Sequence, residues 1–426
     1  MPRFLLLSTI VHGLLLAGLV TLRGDILALA IPFALYLAIG FLDTPSALSL
    51  GVSRSFSLDR VSPGTEVVIS LTIHNLGEEI DELYLEDRIS SSLAVRGGSP
   101  RKMIRLRKGD AYTNSYTITG PRGAYWFDTI RVEAAGGINL FRRAQTLKAA
   151  GRLSVFPDVR RLKSISIRPR RTRVYAGLIP ARVGGTGTDF FGVREYQPGD
   201  APRAINWHAT ARHLEGLYSN EFQQERVADV GLVLDARERT SLFHGGASIF
   251  EYSIRAAAAL ADAFLFQGNR VGLLVYGNYL SWTLPGYGKI QRERILQALA
   301  SASVGASTVF AGLQHLSPRM FPPHSQIVLI SPLADEDLTI LLQLRARGYQ
   351  IMVISPDPLE FELAQLSLSE PVDLATSVVR IERNLLILRL KRAGIQVYEW
   401  NLMESFDRAV GSLLMRPLAS RLARPA

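Results

Sequence analysis

Two apolar runs near the amino terminus constrain this chain more than anything that follows them. Phe4 to Leu22 and Ile26 to Leu42 contain no Asp, Glu, Lys or Arg, and only Arg23, Gly24 and Asp25 separate them. At 19 and 17 residues, each is close to the length of about 20 that an α-helix needs to cross a bilayer core. A cleavable signal peptide would end on a small-x-small pattern and would not be followed by a second apolar run. Residues 1–43 are therefore expected to form a transmembrane helical hairpin. A hairpin returns the chain to the side on which it started. Arg3, Arg54 and Arg60 on that side outweigh Arg23 in the turn, which predicts a multi-pass cell-membrane protein with its soluble domains in the cytoplasm.

Beyond the hairpin the texture changes twice. With 47% hydrophobic residues in 426, the chain can build two or three cores. Residues 50–158 hold short alternating runs between turn residues, such as Val67, Ile69, Leu71 and Ile73, then Tyr125, Phe127, Ile130 and Val132. Such strands with no helical run between them predict an all-β sandwich. Residues 159–226 show no long periodic element and read as a basic linker followed by a motif-rich segment. From 227 to 426, apolar strands such as 230–234, 270–276, 326–331, 350–355 and 395–400 alternate with helical stretches, the first of them alanine-rich over 248–266. That alternation predicts an α/β domain on a mainly parallel sheet.

Ligands of such sheets sit at the carboxyl ends of strands, which makes Asp235, at the end of the first one, the first place to look. An aspartate there resembles the metal-dependent adhesion site of von Willebrand factor A domains. In that family the pattern is Asp-x-Ser-x-Ser, with a threonine and an aspartate from later loops. Here the stretch is Asp235-Ala236-Arg237-Glu238-Arg239, with Thr308 and Asp335 in the places of the later ligands. Arginines at both hydroxyl positions bring positive charge where a hard divalent cation needs oxygens, so the site is degenerate and no cofactor is expected. Arg237 and Arg239 are expected in a solvated loop, paired with nearby acids, or in recognition of an acidic partner.

Cysteine is absent, which excludes disulfides, thiolate metal sites and a cysteine nucleophile. Gly184, Gly185 and Gly187 lack a following Lys-Ser or Lys-Thr and are expected to act as a hinge. His208 and His213, five apart, do not share a helix face as zinc ligands would. The net charge of +10 is concentrated: between Asp158 and Asp189 there is no acid, while Arg160, Arg161, Lys163, Arg168, Arg170, Arg171, Arg173 and Arg182 contribute eight positive charges. In a tethered chain such a run suits anionic lipid or an acidic partner, and nucleic acid is not expected.

Residues 188–212, TDFFGVREYQPGDAPRAINWHATAR, have the look of an active-site loop. A hydrolase or transferase reading would use Glu195 or Asp200 with His208. Yet Asp189, Glu195 and Asp200 lie among Arg194 and Arg203, and close positive charge keeps carboxylates ionised, which suits an ion-pair network better than a proton donor. There is no Gly-x-Ser-x-Gly elbow to accompany them.

Asp189-Phe190, Arg194-Glu195-Tyr196, Gly199-Asp200, Arg203-x-Ile205-Asn206-Trp207 and Ala211-Arg212 resemble the signature of the domain-of-unknown-function family 58. Glu221-Phe222 and Glu225-Arg226 continue the likeness. The resemblance implies the same order of parts: two transmembrane helices, a β-sandwich, the signature, then a von Willebrand factor A-like domain. It also implies a non-enzymatic adaptor working with a MoxR-type AAA+ ATPase in assembly or maturation of envelope or other protein complexes. In that role Asp189, Arg194, Glu195, Asp200, Arg203, Trp207 and Arg212 would clasp the loop onto the α/β domain. If Arg203 is buried in that clasp, Arg203→Ala should cost about 3–5 kcal/mol.

Overall fold

The computed structural model describes residues 2–42, 48–135, 140, 142–160, 162, 173–212, 216–244, 246–277, 279–305, 313, 319–363 and 370–414, with side chains omitted at 2–3, 173–189, 191, 222–226, 244, 370–373 and 411–414. The chain divides into two compact units, Met1–Phe156 and Pro157–Ala426.

The first unit opens with helices α1 (Pro2–Thr21) and α2 (Gly24–Leu42), both long and apolar enough to cross a membrane. Leu22, at φ +48, ends α1 in the left-handed conformation that closes many helices, and the Arg23 N–H donates back to the Gly18 carbonyl at 3.1 Å. The helices turn outward Leu16, Leu19, Val20, Ile31 and Phe41, surface that water does not favour.

Strands β1 (Leu50–Phe56), β2 (Arg60–Val61), β3 (Val67–Asn75), β4 (Ile80–Asp87), β5 (Ala94–Gly97), β6 (Arg101–Leu106), β7 (Ala111–Thr119), β8 (Gly123–Ala135) and β9 (Arg142–Val155) follow. They form one sheet in the order β1-β3-β7-β5 and another in the order β2-β9-β8-β4-β6. The two sheets bury their inner faces in shared clusters: Leu71 and Ile73 meet Leu83, Leu85, Ile130 and Val132, while Ile69, Tyr116 and Ile118 meet Phe127, Leu153 and Val155. In β8 the inward positions change phase, from Tyr125 and Phe127 to Ile130 and Val132, at the point where pairing with β9 slips by one residue. The extra residue is on β9, where Ala149 and Ala150 stand opposite Asp128. The Tyr125 hydroxyl donates to the Pro121 carbonyl at 2.8 Å, pinning the turn that enters β8.

The second unit begins with an antiparallel ribbon, β10 (Arg173–Glu195) and β11 (Tyr218–Val227), joined through the short helix α3 (Trp207–Arg212). The segment expected to lack a long element thus carries the longest strand of the described residues. Its period was hidden because pairing shifts register four times, with Gly184, Gly185 and Gly192 among the irregular positions; the expected hinge glycines are bulged strand backbone.

After the ribbon come β12 (Asp229–Asp235), the small hairpin β13 (Phe243–His244) and β14 (Ala247–Ser248), helix α4 (Ile249–Phe266), β15 (Arg270–Tyr276), β16 (Ser281–Gly286), α5 (Gly288–Ser301), β17 (Gln326–Ile330), α6 (Asp335–Ala346), β18 (Gln350–Pro356), α7 (Pro358–Leu363), α8 (Glu370–Arg392), β19 (Gln396–Trp400) and α9 (Phe406–Leu414). Helix α4 starts cleanly because the Ser248 hydroxyl accepts the Glu251 N–H at 3.2 Å. Its small buried face, Ala256 to Ala259 with Ala261, lets the helix lie close against the strands.

The sheet order is β16-β15-β12-β17-β18-β19, parallel except for β16, which pairs antiparallel at the edge. Numbered from β12, that is 3-2-1-4-5-6, the doubly wound order. The first strand lies between the second and the fourth, so connections leave in opposite directions from β12 and β17. Their carboxyl ends flank the crevice where such sheets take ligands.

Candidate functional site

Asp235 is the last residue of β12, Ser331 follows β17, and Asp337 stands in the first turn of α6; all three are buried. Burial of two carboxylates is tolerable only with partners. Arg237 supplies them. Its Nε donates to Asp235 Oδ1 at 2.9 Å and its Nη2 to Asp235 Oδ2 at 2.9 Å, a two-pronged fork. Nη2 also reaches Asp337 Oδ1 at 2.9 Å and the Tyr276 hydroxyl at 3.0 Å. Arg239 adds Nη2 contacts to Asp235 Oδ2 at 3.0 Å and Asp337 Oδ2 at 2.6 Å. The Ser331 hydroxyl donates to Asp235 Oδ2 at 2.7 Å.

The backbone is shaped to admit this arrangement. Gly277, at φ +128 just beyond β15, passes so close to the Ala236–Arg237 peptide that a Cβ would meet it at 2.5 Å. Leu333, a buried non-glycine residue at φ +63, is held in the left-handed region with its N–H donated to the Ser331 hydroxyl at 3.1 Å. Burial pushes the Asp337 carboxyl up, Arg237 opposes the shift and Asp235 adds to it, leaving it at about 6. Arg237 is held above its ordinary range: burial disfavours its charge, but Tyr276, Asp235 and Asp337 outweigh that cost.

The residues do not fit a divalent cation. The position between Asp235 and Asp337 is filled by a guanidinium that contacts both carboxylates, and among the described residues no group of three His, Asp or Glu is placed to hold a metal ion. Of the degenerate set, Asp235 stands where the sequence put it, and Thr308 lies outside the described residues. Asp335 is exposed at the start of α6, and the acid that faces Asp235 is Asp337. The loop is solvated only in part, with Arg237 buried, Arg239 half-buried and Glu238 exposed, while the expected pairing of both arginines with nearby acids is met by Asp235 and Asp337. Sequence reasoning missed Asp337, Ser331 and Tyr276. A run of three acids opens α6, and only the helix phase shows that its third member turns inward.

The signature residues form a second site. Gln197-Pro198-Gly199-Asp200 is a tight turn closed by the Asp200 N–H to the Gln197 carbonyl at 3.0 Å, with Gly199 at φ +112 in the position that demands positive φ. The Asp200 carboxylate accepts the Gln197 N–H at 3.0 Å and Arg194 Nη2 at 2.6 Å. The Arg194 hydrogen bond holds its carboxyl below the usual range. Arg194 also donates Nη1 to the Glu195 carbonyl at 2.9 Å and approaches Glu221 at 3.8 Å. The Tyr196 hydroxyl donates to the Asp200 carbonyl at 3.2 Å. Asn206 caps α3, its Oδ1 accepting the Ala209 N–H at 2.9 Å while its Nδ2 donates to Asn220 at 2.7 Å.

The expected clasp is therefore partly corrected. The partner of Asp200 is Arg194; Arg203 is exposed and makes no ion pair among the described residues. Glu195, His208 and Arg212 are exposed, and no hydrogen bond joins Glu195 or His208 to Asp200 among the described residues. The backbone of Asp189 lies in β10, and its side chain is outside the description. Trp207, expected to bury apolar area, is 67% exposed, and Phe190 is 60% exposed. On α3 the helical phase puts Trp207, His208, Ala211 and Arg212 on one arc, all exposed, opposite Ala209 and Thr210.

Residues 192–393 match the family model described as protein of unknown function DUF58. The match takes in the signature from Arg194 onward and runs through β12 to α8, so it includes the ionic cluster. Over 343 residues the chain is 23% identical to the uncharacterized protein YeaD of Bacillus subtilis (strain 168), covering 79% of this chain and 82% of that one. Among solved structures, a FixG-related protein from Vibrio parahaemolyticus is similar over 25% of this chain and 95% of its own, with 14% identity and a TM-score of 0.19. The CARDB domain of the PF1109 protein from Pyrococcus furiosus is similar over 26% of this chain and 91% of its own, with 16% identity and a TM-score of 0.19. Likenesses at these scores carry no weight for this chain.

Proposed function

We propose that this chain is a membrane-anchored adaptor that presents a von Willebrand factor A-like unit and its signature ribbon to protein partners, a MoxR-type AAA+ ATPase foremost, in assembly or maturation of envelope or other protein complexes. The observation that carries the reading is the outward set of the signature's aromatic and basic side chains: Phe190, Trp207, Arg203 and Arg212 are exposed, while Asn206, Arg194 and Asp200 spend their polar groups fixing the backbone beneath. Tryptophan and arginine are the residues on which protein interfaces most often depend. The 3-2-1-4-5-6 order with an antiparallel edge strand supports the A-like reading. The helical pair supports a membrane anchor, and its arginine bias supports placing both units in the cytoplasm.

Crosslinking in native membranes, followed by identification of what co-purifies, tests the proposal. An ATPase recovered with the wild type and lost with Trp207→Ala/Arg212→Ala supports it. Recovery of neither an ATPase nor an envelope protein sinks it.

A further inference from the structure

We infer that helix α8 pairs side by side and in parallel with α8 of a second copy of this chain, through an apolar seam on its outer face. The inference goes beyond the adaptor reading and borrows from it only the membrane anchor. Leu374, Val378, Ile381, Leu385 and Leu388 follow one another at steps of four, three, four and three residues. At about 100° per residue they fall on one arc of about 80°, the a/d spacing of a coiled-coil seam. Each is a large aliphatic side chain, yet each residue is between 47% and 70% exposed. The opposite face of the same helix belongs to the core of the unit. There Leu386, Ile387 and Leu390 are buried with Leu341, Leu344 and Val397, and Arg383 donates to the Pro332 and Pro356 carbonyls at 2.7 and 3.2 Å. With that face fixed, the seam cannot turn inward.

The flanking residues decide what covers it. Ser377 and Asn384 border the seam on one side, Glu382 and Arg389 on the other, all four exposed. In a parallel pair each g position meets the e position five residues on in the copy. That sets Ser377 beside the copy's Glu382 and Asn384 beside the copy's Arg389, while all five apolar layers meet their own counterparts. The antiparallel arrangement that keeps the seam in full overlap sets Glu382 against its own copy, a like-charge contact. A helix lying on a bilayer surface would border its apolar stripe with Lys and Arg, where this one presents mainly Ser, Asn and Glu. Two heptads are too few for free peptides to form helices and pair in water, but α8 is already folded onto its own core, so pairing orders no backbone. Chains that α1 and α2 hold in one membrane also meet at a raised effective concentration.

The chain has no cysteine, so single-cysteine variants of the full chain in native membranes report on the chosen position alone. Under mild copper-phenanthroline oxidation, Leu374→Cys and Leu388→Cys should each give a disulfide-linked dimer on a non-reducing gel. A parallel pair brings both positions within the Cα separation of about 7 Å that a disulfide can span. No antiparallel register sets both next to their own copies; with full overlap the two Leu374 positions stand about 27 Å apart. Val379→Cys, exposed but off the seam, should give no dimer. Adding Ile381→Glu to Leu374→Cys should abolish the crosslink, while the melting curve of the purified variant matches its parent, since Ile381 faces away from the core. A dimer from Val379→Cys at the level of Leu374→Cys would mean random collision and would overturn the proposal. So would a dimer from one seam cysteine and not the other, or from neither. A seam cysteine that is shielded from a water-soluble maleimide and forms no dimer would mean that lipid or a different protein covers the helix. Recovery of an ATPase in the native-membrane crosslinking is a separate outcome, so this pairing and the adaptor reading can fail independently.

Discussion

At the scale of single residues, Asp235 and Asp337 hold the most informative charges in the molecule. Replacing Arg237 and Arg239 together by serine leaves Asp235, Asp337 and the hydroxyl of Ser331 as an oxygen-only set of the kind a hard cation takes. The wild type should show no melting shift between EDTA and millimolar Mg2+, and the double variant should be destabilised in EDTA and partly restored by Mg2+. A wild type stabilised by Mg2+ would show that the guanidinium yields to the ion. Asp337 also predicts a pH dependence. With its folded value raised to about 6, above the ordinary aspartate value of about 3.9, the folded unit takes up a proton in a window where the unfolded chain stays ionised. Its contribution is fully present below about 4 and is lost as pH rises through 6. Melting of the wild type and of Asp337→Asn, compared from neutral to acid, should show the wild type gaining on the variant across that window. A wild type that instead loses ground would mean the carboxyl stays ionised throughout.

At the scale of elements, the two β sheets of the first unit are joined by a device the sequence did not reveal. Arg54 on β1 pairs with Asp87 on β4 at 2.6 Å with both side chains fully buried, the Tyr116 hydroxyl of β7 donates to the other Asp87 oxygen at 2.7 Å, and Arg54 also donates to the Ala149 carbonyl of β9. Arg54 looked like one of several surface charges near the helices, because nothing local marks a strand arginine as inward-facing. Asp87→Ala strands that guanidinium, and urea unfolding of the first unit should lose about 3–5 kcal/mol. The ribbon teaches the opposite lesson. The motif's spacing was legible, and so was the expectation that its acids and arginines would pair, but which acid met which arginine depended on the Pro198-Gly199 turn that folds Asp200 back over Arg194. Arg203, facing solvent, should change to alanine with no shift in melting temperature, in place of the loss expected of a buried clasp. A fall of several degrees would restore the clasp.

At the scale of the molecule, what could be read in advance was what repeats along the chain: two apolar runs, a period-two region, then strands alternating with helices. Strand order could not be read, since the antiparallel β16 has no buried residue by which to stand out, and it is that order which sets the end of β12 beside the crevice where such sheets take ligands. Periodicity reports which faces are apolar, whereas sites are made by contacts between residues about 100 apart, as Arg237 and Asp337 are. The helical pair carries the last prediction. Leu16, Leu19, Val20, Leu35, Ile39 and Phe41 are exposed on helices long enough to span a bilayer, and a chain with that surface in water should aggregate. The full chain should remain with the membrane pellet through alkaline carbonate and leave it only in detergent. A variant lacking residues 1–42 should appear in the supernatant. Release of the full chain by carbonate alone would mean that α1 and α2 lie against protein or on the membrane surface, and the anchor reading would fail with it.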